Sequence, residues 1–227
     1  MNTINNVRRI CLRIIKNPFL LFNLSVRGII KLIEKLPYFI FIRETRNSET
    51  KITFTIWFIQ KILRINYSAY WPMHHSSILS YSKNIYVGIE TCPGYNPGCY
   101  IHAVNKIYIG DYTQIAPNVG LMSGNHDLYD FRKQIEAKPI IIGKYCWIGM
   151  GVVIMPGVEL GDFTIVGAGS IVTKSFNDGY CVIVGNPAYK LKDLEKEKCI
   201  PFKTENPYNG YIRHDLFEKY REKYLNV

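Results

Sequence analysis

The sequence predicts an all-β core: a parallel β-helix of six-residue repeats, with a helical extension before it and a helix after it. Three observations lead there. Branched aliphatic residues recur at every sixth position in Ile142, Ile148, Ile154, Leu160, Val166 and Val172, and again in Ile109, Ile115 and Leu121. Small residues follow in phase, at Gly110, Ala116, Gly143, Gly149, Gly161 and Gly167, and small or β-branched residues lie four positions on, at Thr113, Val119, Cys146, Val152, Val158, Thr164 and Ser170. The phase breaks only once, for a loop. A helix needs apolar spacings of three and four and a plain strand needs two, so a strict six fits neither. Six fits a coil with flat faces, each a short strand whose central aliphatic points inward. The glycine after the aliphatic is expected to turn the corner, because its backbone reaches angles closed to other residues.

Composition agrees with a folded core. Of 227 residues, 48% are hydrophobic and 20% charged, which excludes disorder as the main state. The net charge of +10 is uneven. Residues 1–66 hold 12 Lys/Arg and 3 Asp/Glu, and residues 67–227 hold 16 and 15. The excess therefore belongs to the first third of the chain. None of the six cysteines (Cys11, Cys92, Cys99, Cys146, Cys181 and Cys199) forms a Cys-x-x-Cys pair, which argues against a zinc ribbon. The start of the chain does not read as a signal peptide, and free thiols in a reducing cytoplasm are expected. No apolar run approaches the ~18–20 residues that span a bilayer.

The repeat loses phase after Leu121, where Asp127 stands in place of an aliphatic, and resumes at Ile142. Residues 123–139 must therefore leave the coil. Long loops on rigid scaffolds tend to carry function. This one holds the only histidine between His102 and His214, in Asn125-His126-Asp127.

The motifs Ile109-Gly-Asp, Ile115-Ala-Pro-Asn-Val119, Asn125-His-Asp127, Cys146-Trp-Ile-Gly149, Pro156-Gly-Val-Glu-Leu-Gly161, Val166-Gly-Ala-Gly-Ser-Ile-Val-Thr-Lys174 and Gly185-Asn-Pro-Ala188 resemble the hexapeptide-repeat acyltransferases. The sugar O-acetyltransferases are the nearest in kind. The resemblance covers about Ile85 to Lys192. It implies a left-handed coil, a homotrimer, and acetyl-CoA as acyl donor lying between neighbouring coils and facing the loop histidine. It implies no metal. A histidine with an ordinary pKa near ~6.5 suits removal of a hydroxyl proton at neutral pH. His126 is thus the expected general base for direct transfer without an acyl-enzyme.

Such a base needs an orienting partner on its other nitrogen. Asp127, Asp130 and Glu136 are available in the loop, and each also reads as a solvated carboxylate. By the resemblance, Asn96 matches a polar residue near the acceptor and stands as an oxyanion donor. Its setting, Pro93-Gly-Tyr-Asn-Pro-Gly98, reads equally as a turn. The family's pantetheine contacts match Gly149, Met150 and Ala168. Its phosphate and adenine contacts match Thr173, Lys174 and Lys192, of which the two lysines also read as plain surface charges. Tyr189 stands where relatives often carry Lys or Arg. Trp147 suits the acyl pocket or the trimer seam.

The expected organisation is an N-terminal extension over residues 1–66, the coil domain over 67–190 with its loop 123–139, and a tail over 191–227. In the extension, Ile10–Ile15 and Val26–Leu36 read as basic amphipathic helices bounded by Pro18 and Pro37. They suit peripheral contact with an anionic membrane at the inner face of the cytoplasmic membrane, and they equally suit a cap on the coil. His74 and His75 precede the coil as acceptor-site or packing residues. Ile212–Tyr224 reads as the terminal helix.

The expected function is O-acetylation of a sugar or glycan hydroxyl in surface polysaccharide or lipopolysaccharide synthesis. N-acylation of a nucleotide-linked amino-sugar is the alternative, and a membrane-associated β-solenoid scaffold is the non-enzymatic one. The zinc carbonic anhydrases of the same coil type need three metal-binding histidines, and the repeat region offers only His102 and His126. The near-neutral coil argues against nucleic acid.

Overall fold

The computed structural model of the chain describes residues 18–135 and 137–227. They divide into two compact units at Glu44, and each is described separately below. In the first, helix α1 (Pro18–Ile33) is followed by a 3₁₀ turn (Pro37–Phe39) and helix α2 (Ile40–Glu44). Pro37 opens the 3₁₀ turn rather than closing the preceding helix. Proline is accepted in a first turn because its missing N–H would have no helical partner there. The helix expected over Ile10–Ile15 lies outside the described residues.

The second unit is a left-handed parallel β-helix with three faces. Face A stacks Ile78–Ser80, Tyr100–His102, Gly120–Met122, Val153–Ile154 and Ile171–Val172. Face B stacks Ile85–Val87, Ile107–Ile109, Ile140–Ile142 and Glu159–Leu160. Face C stacks Gln114–Ile115, Trp147–Ile148, Thr164–Val166 and Cys181–Gly185, and closes with Ala188–Asp193 running antiparallel. The chain visits A, B and C in turn. Ile148 lies opposite Val166 on one side and Ile115 on the other, and Ile154 lies opposite Val172 and Leu121. One turn is thus three hexapeptides, except where the loop adds its residues. All nine phased aliphatics are buried. Thr113, Cys146, Thr164 and Ser170 are buried beside them, and each satisfies its hydroxyl or thiol on a backbone carbonyl at a corner.

The glycines after the aliphatics do not turn the corners. Left-handed backbone occurs two residues later, at Tyr112, Asn118, Tyr145, Gly151, Gly157, Phe163 and Gly169, with φ between 55° and 76°. Gly110 and Gly149 are required by stacking instead. A Cβ on Gly110 would lie 2.7 Å from the Gly143 carbonyl carbon, and one on Gly149 would lie 2.7 Å from the Ala168 nitrogen.

At the B-to-C corner the left-handed residues are aromatic in four successive layers, Tyr112, Tyr145, Phe163 and Tyr180, with Glu90 in the layer before them. Left-handed backbone costs a side-chain-bearing residue roughly 1–2 kcal/mol. The rings stack along the coil axis: Tyr112 on Tyr145 at 5.2 Å, Tyr145 on Phe163 at 4.8 Å, and Phe163 on Tyr180 at 5.1 Å. Such pairs return ~0.5–1.5 kcal/mol each, so the three of them offset about half of that cost. Phe202 from the tail packs against Tyr112 and Tyr145.

A short helix α3 (Phe54–Trp57) continues as a π-helical turn, Phe58–Ile62, and this turn carries the fully buried Gln60. The Gln60 Nε2 donates to the carbonyls of Asn66, Ala69 and Trp71, and its Oε1 accepts from Met73 N and the Tyr211 hydroxyl. This amide fastens residues 54–62 to the first strand region and to the tail. The terminal helix α4 (His214–Tyr224) begins two residues later than expected, after the small hairpin of Tyr208–Asn209 with Ile212–Arg213. It buries Phe217 against Tyr70 and Tyr86.

Candidate functional site

The loop leaves face A after Met122 and rejoins face B at Ile140, so it occupies the A-to-B corner. It folds into a hairpin in which Asn125–His126 pairs antiparallel with Gln134–Ile135, with His126 opposite Gln134. Its base is fixed by Ser123, which is fully buried and whose Oγ accepts from Asn105 N and donates to backbone carbonyls. The tip is built by the two aspartates. The Asp127 Oδ1 accepts the backbone amides of Tyr129 at 2.8 Å and Asp130 at 2.9 Å. These bonds hold its carboxyl below the usual carboxylate range. Asp130 receives the Arg132 guanidinium at 2.8 and 3.1 Å and Lys133 at 3.6 Å, and the Arg132 bonds hold its carboxyl low as well. Both carboxylates thus shape the hairpin. Among the described residues none hydrogen-bonds the exposed His126 ring. Glu136 lies outside the described residues.

Asn96 stands in the turn before face A, where its Nδ2 donates to the Ile115 carbonyl at 2.7 Å and its backbone carbonyl accepts from the Ser77 hydroxyl. Its amide is committed to the coil wall. His74 and His75 stack on each other at 4.1 Å, and the His74 Nδ1 pairs with the Ser76 hydroxyl. Burial, then the neighbouring His75, lowers the His74 pKa.

The donor-side candidates lie on other corners. Gly149, Met150 and Ala168 occupy consecutive turns of the C-to-A corner, joined by Gly149 N to Val166 O at 2.9 Å and Gly169 N to Met150 O at 2.8 Å. Trp147 precedes them, exposed on face C. Thr173 and Lys174 follow the last strand of face A, and Lys174 stands 5.7 Å from the Phe176 ring. Lys192 is in the closing strand, opposite Val182. The structure thus groups Gly149, Met150 and Ala168 on one corner. In a single chain, the width of face A separates them from His126.

Two features escaped motif reading. Lys190 shares with Lys174 a cleft of about 410 Å³ at the end of the coil, also lined by Ser175, Asn177, Asp178 and Cys181. Its alternation with Lys192 in one strand was a readable signal. Lys61 is largely buried; its Nζ donates to Ala69 O at 2.8 Å and faces the Tyr211 ring at 4.9 Å. Burial pushes its ammonium down to about 8. Its apolar neighbours gave no motif to find it by.

Cys92, Cys99, Cys146, Cys181 and Cys199 are free thiols; burial pushes Cys92 and Cys146 up to about 12, far from the thiolate a nucleophile requires. Among the described residues, no group of three or more His, Cys, Asp or Glu could hold a metal ion, and no helix is long and apolar enough to cross a membrane.

The fold and the site define the class: a left-handed coil of six-residue repeats with one histidine-bearing hairpin. Residues 139–174 match the family described as bacterial transferase hexapeptide (six repeats), and the chain is similar to hexapeptide-repeat acetyltransferases. It is 38% identical over 128 residues to a galactoside O-acetyltransferase of Escherichia coli, covering 55% of this chain and 62% of the relative. It is 38% identical over 93 residues to a putative colanic acid biosynthesis acetyltransferase of Escherichia coli, covering 41% and 50%. Among solved structures, a galactoside acetyltransferase in complex with coenzyme A superposes with a TM-score of 0.51 at 34% identity, covering 59% of this chain and 66% of that one. The chain spans between half and 62% of the length of these curated relatives.

Proposed function

We propose that the chain transfers an acetyl group from acetyl-CoA to a sugar hydroxyl in surface polysaccharide or lipopolysaccharide synthesis. The observation that carries this reading is the hairpin. The one excursion from a sealed coil presents a histidine whose ring has no hydrogen-bond partner among the described residues, with its backbone pinned by strand pairing and its turn held by two aspartates. The sugar acetyltransferases among the relatives supply the substrate class.

In this reading His126 takes the proton from the acceptor hydroxyl as its oxygen attacks the thioester carbonyl. The tetrahedral intermediate collapses, the C–S bond breaks, and the CoA sulfur leaves with the proton from His126. Trp147, Gly149, Met150 and Ala168 hold the pantetheine arm, and Thr173, Lys174 and Lys192 meet the phosphates and adenine. Asp127 and Asp130 act as positioning residues through the hairpin. Asn96, its amide committed to the coil wall, orders the acceptor side from there.

The topology supports a homotrimer as the working form. His126 stands on the A-to-B corner and the donor residues on the C-to-A corner of the same chain. A neighbouring copy brings its donor corner to this hairpin. The test incubates the protein with acetyl-CoA and a panel of nucleotide-sugars and oligosaccharides and follows free CoA. Release with hydroxyl acceptors and its loss in His126→Ala are expected. Release only with amino-sugars, or an unchanged rate in the variant, rejects this reading.

A further inference from the structure

We propose that α1 and the turn after it lie flat on an anionic lipid surface. The helical hydrogen bonding continues past Ile33, with Glu34 N bonded to Ile30 O and Lys35 N to Leu32 O, which carries the turn to Leu36. At 100° per residue, Val26, Ile29, Leu32, Ile33 and Leu36 fall on one side, and Arg27, Lys31, Glu34 and Lys35 on the other. Among the described residues this side is exposed at Ile29 (56%), Leu32 (65%) and Leu36 (52%). Large aliphatic side chains grouped on one helix face in water mark an interaction surface.

Charge selects the occupant. Residues 1–36 carry seven Lys/Arg and one Asp/Glu, whereas residues 67–227 are nearly balanced. Nucleic acid would use the basic side and leave the aliphatic side in water. A second copy of the helix would cover the aliphatic side but bring like charges together. An anionic bilayer surface takes both at once: the aliphatic side enters the acyl boundary and the flanking lysines and arginines meet the headgroups. Among the described residues no helix is long and apolar enough to cross a membrane, α1 included.

The test sediments the full chain with vesicles of about one third phosphatidylglycerol in phosphatidylcholine, and with phosphatidylcholine alone. Binding to the anionic vesicles only is expected. Each headgroup-facing charge is worth about fivefold, so Arg27→Gln, Lys31→Gln and Lys35→Gln together weaken binding on the order of a hundredfold. Ile29→Asp with Leu32→Asp abolishes binding and leaves the thermal midpoint and sedimentation coefficient unchanged. Undiminished binding of that double variant, or equal binding to neutral vesicles, overturns the proposal. So does a fall in its midpoint or a change in its oligomer size, because either shows that protein covers the face.

Discussion

Ile142, Ile148 and Ile154 in the coil are each no more than 1% exposed, whereas Leu128, Tyr129 and Phe131 at the hairpin tip are 79–98% exposed. The same chain thus hides its aliphatic side chains in the coil completely and displays Leu128 and two aromatic rings at the hairpin tip. The coil is held by packing and by ladder hydrogen bonds between turns. The hairpin is held by two carboxylates that bind their own backbone and its neighbouring cations. Stability therefore resides in the repeat and the proposed reactivity in the interruption, so substitutions should separate the two.

The largest effect tests that separation directly. His126→Ala should lower the transfer rate by ~10²–10⁴-fold, the span of a lost general base, with no change in melting temperature. Ile148→Ala should do the reverse. It opens a void in a sealed core and should cost about 2–5 kcal/mol in denaturant unfolding, while the folded fraction keeps its rate. Gly110→Ala forces a Cβ against the backbone of the next turn and should cost about 1–3 kcal/mol, read as a lower thermal midpoint.

Asp127→Ala should free the hairpin tip, seen as faster proteolytic nicking near Tyr129 with an unchanged coil. Acid should mimic it. The folded-state pKa of Asp127 lies below its ordinary 3.8, so its hold on the turn is complete above that value. The hold is lost as pH falls through the lowered one. The smallest effect is Phe163→Gly. It removes a stacked ring and relieves left-handed backbone, so the two changes offset and stability should move by no more than ~1 kcal/mol.

The coil was legible because its chemistry repeats: each inward position is constrained by burial alone, and burial accepts only branched aliphatics at that phase. The exit and return of the loop were legible as the place where that constraint lapses. The corner mechanism was not. Glycine after the aliphatic suggested a turn, but a backbone clash with the next layer leaves no trace distinguishable from a turn requirement. Tyr112, Tyr145, Phe163 and Tyr180 looked like scattered aromatics, because the loop inserted between the first two hides their spacing. The partners of Asp127 and Asp130 were also out of reach. A carboxylate next to a histidine reads as its orienter, and whether a backbone amide claims it first depends on turn geometry that only coordinates give. Gln60 carried no motif at all, since its role is set by which carbonyls converge on it from residues 66–71.

The ring stack has a consequence for how such a chain can be lengthened. Because one aromatic sits at the same corner in each of four successive turns, the column acts as a ruler for that part of the coil. An inserted segment of three hexapeptides between Phe163 and Tyr180 has a natural place for its own ring, one layer from each neighbour. The same segment with an aspartate there would interrupt the column and leave the turn without its clasp. A whole added layer that brings its own aromatic would continue the column, and the spacing of such residues along the chain would count the stacked layers.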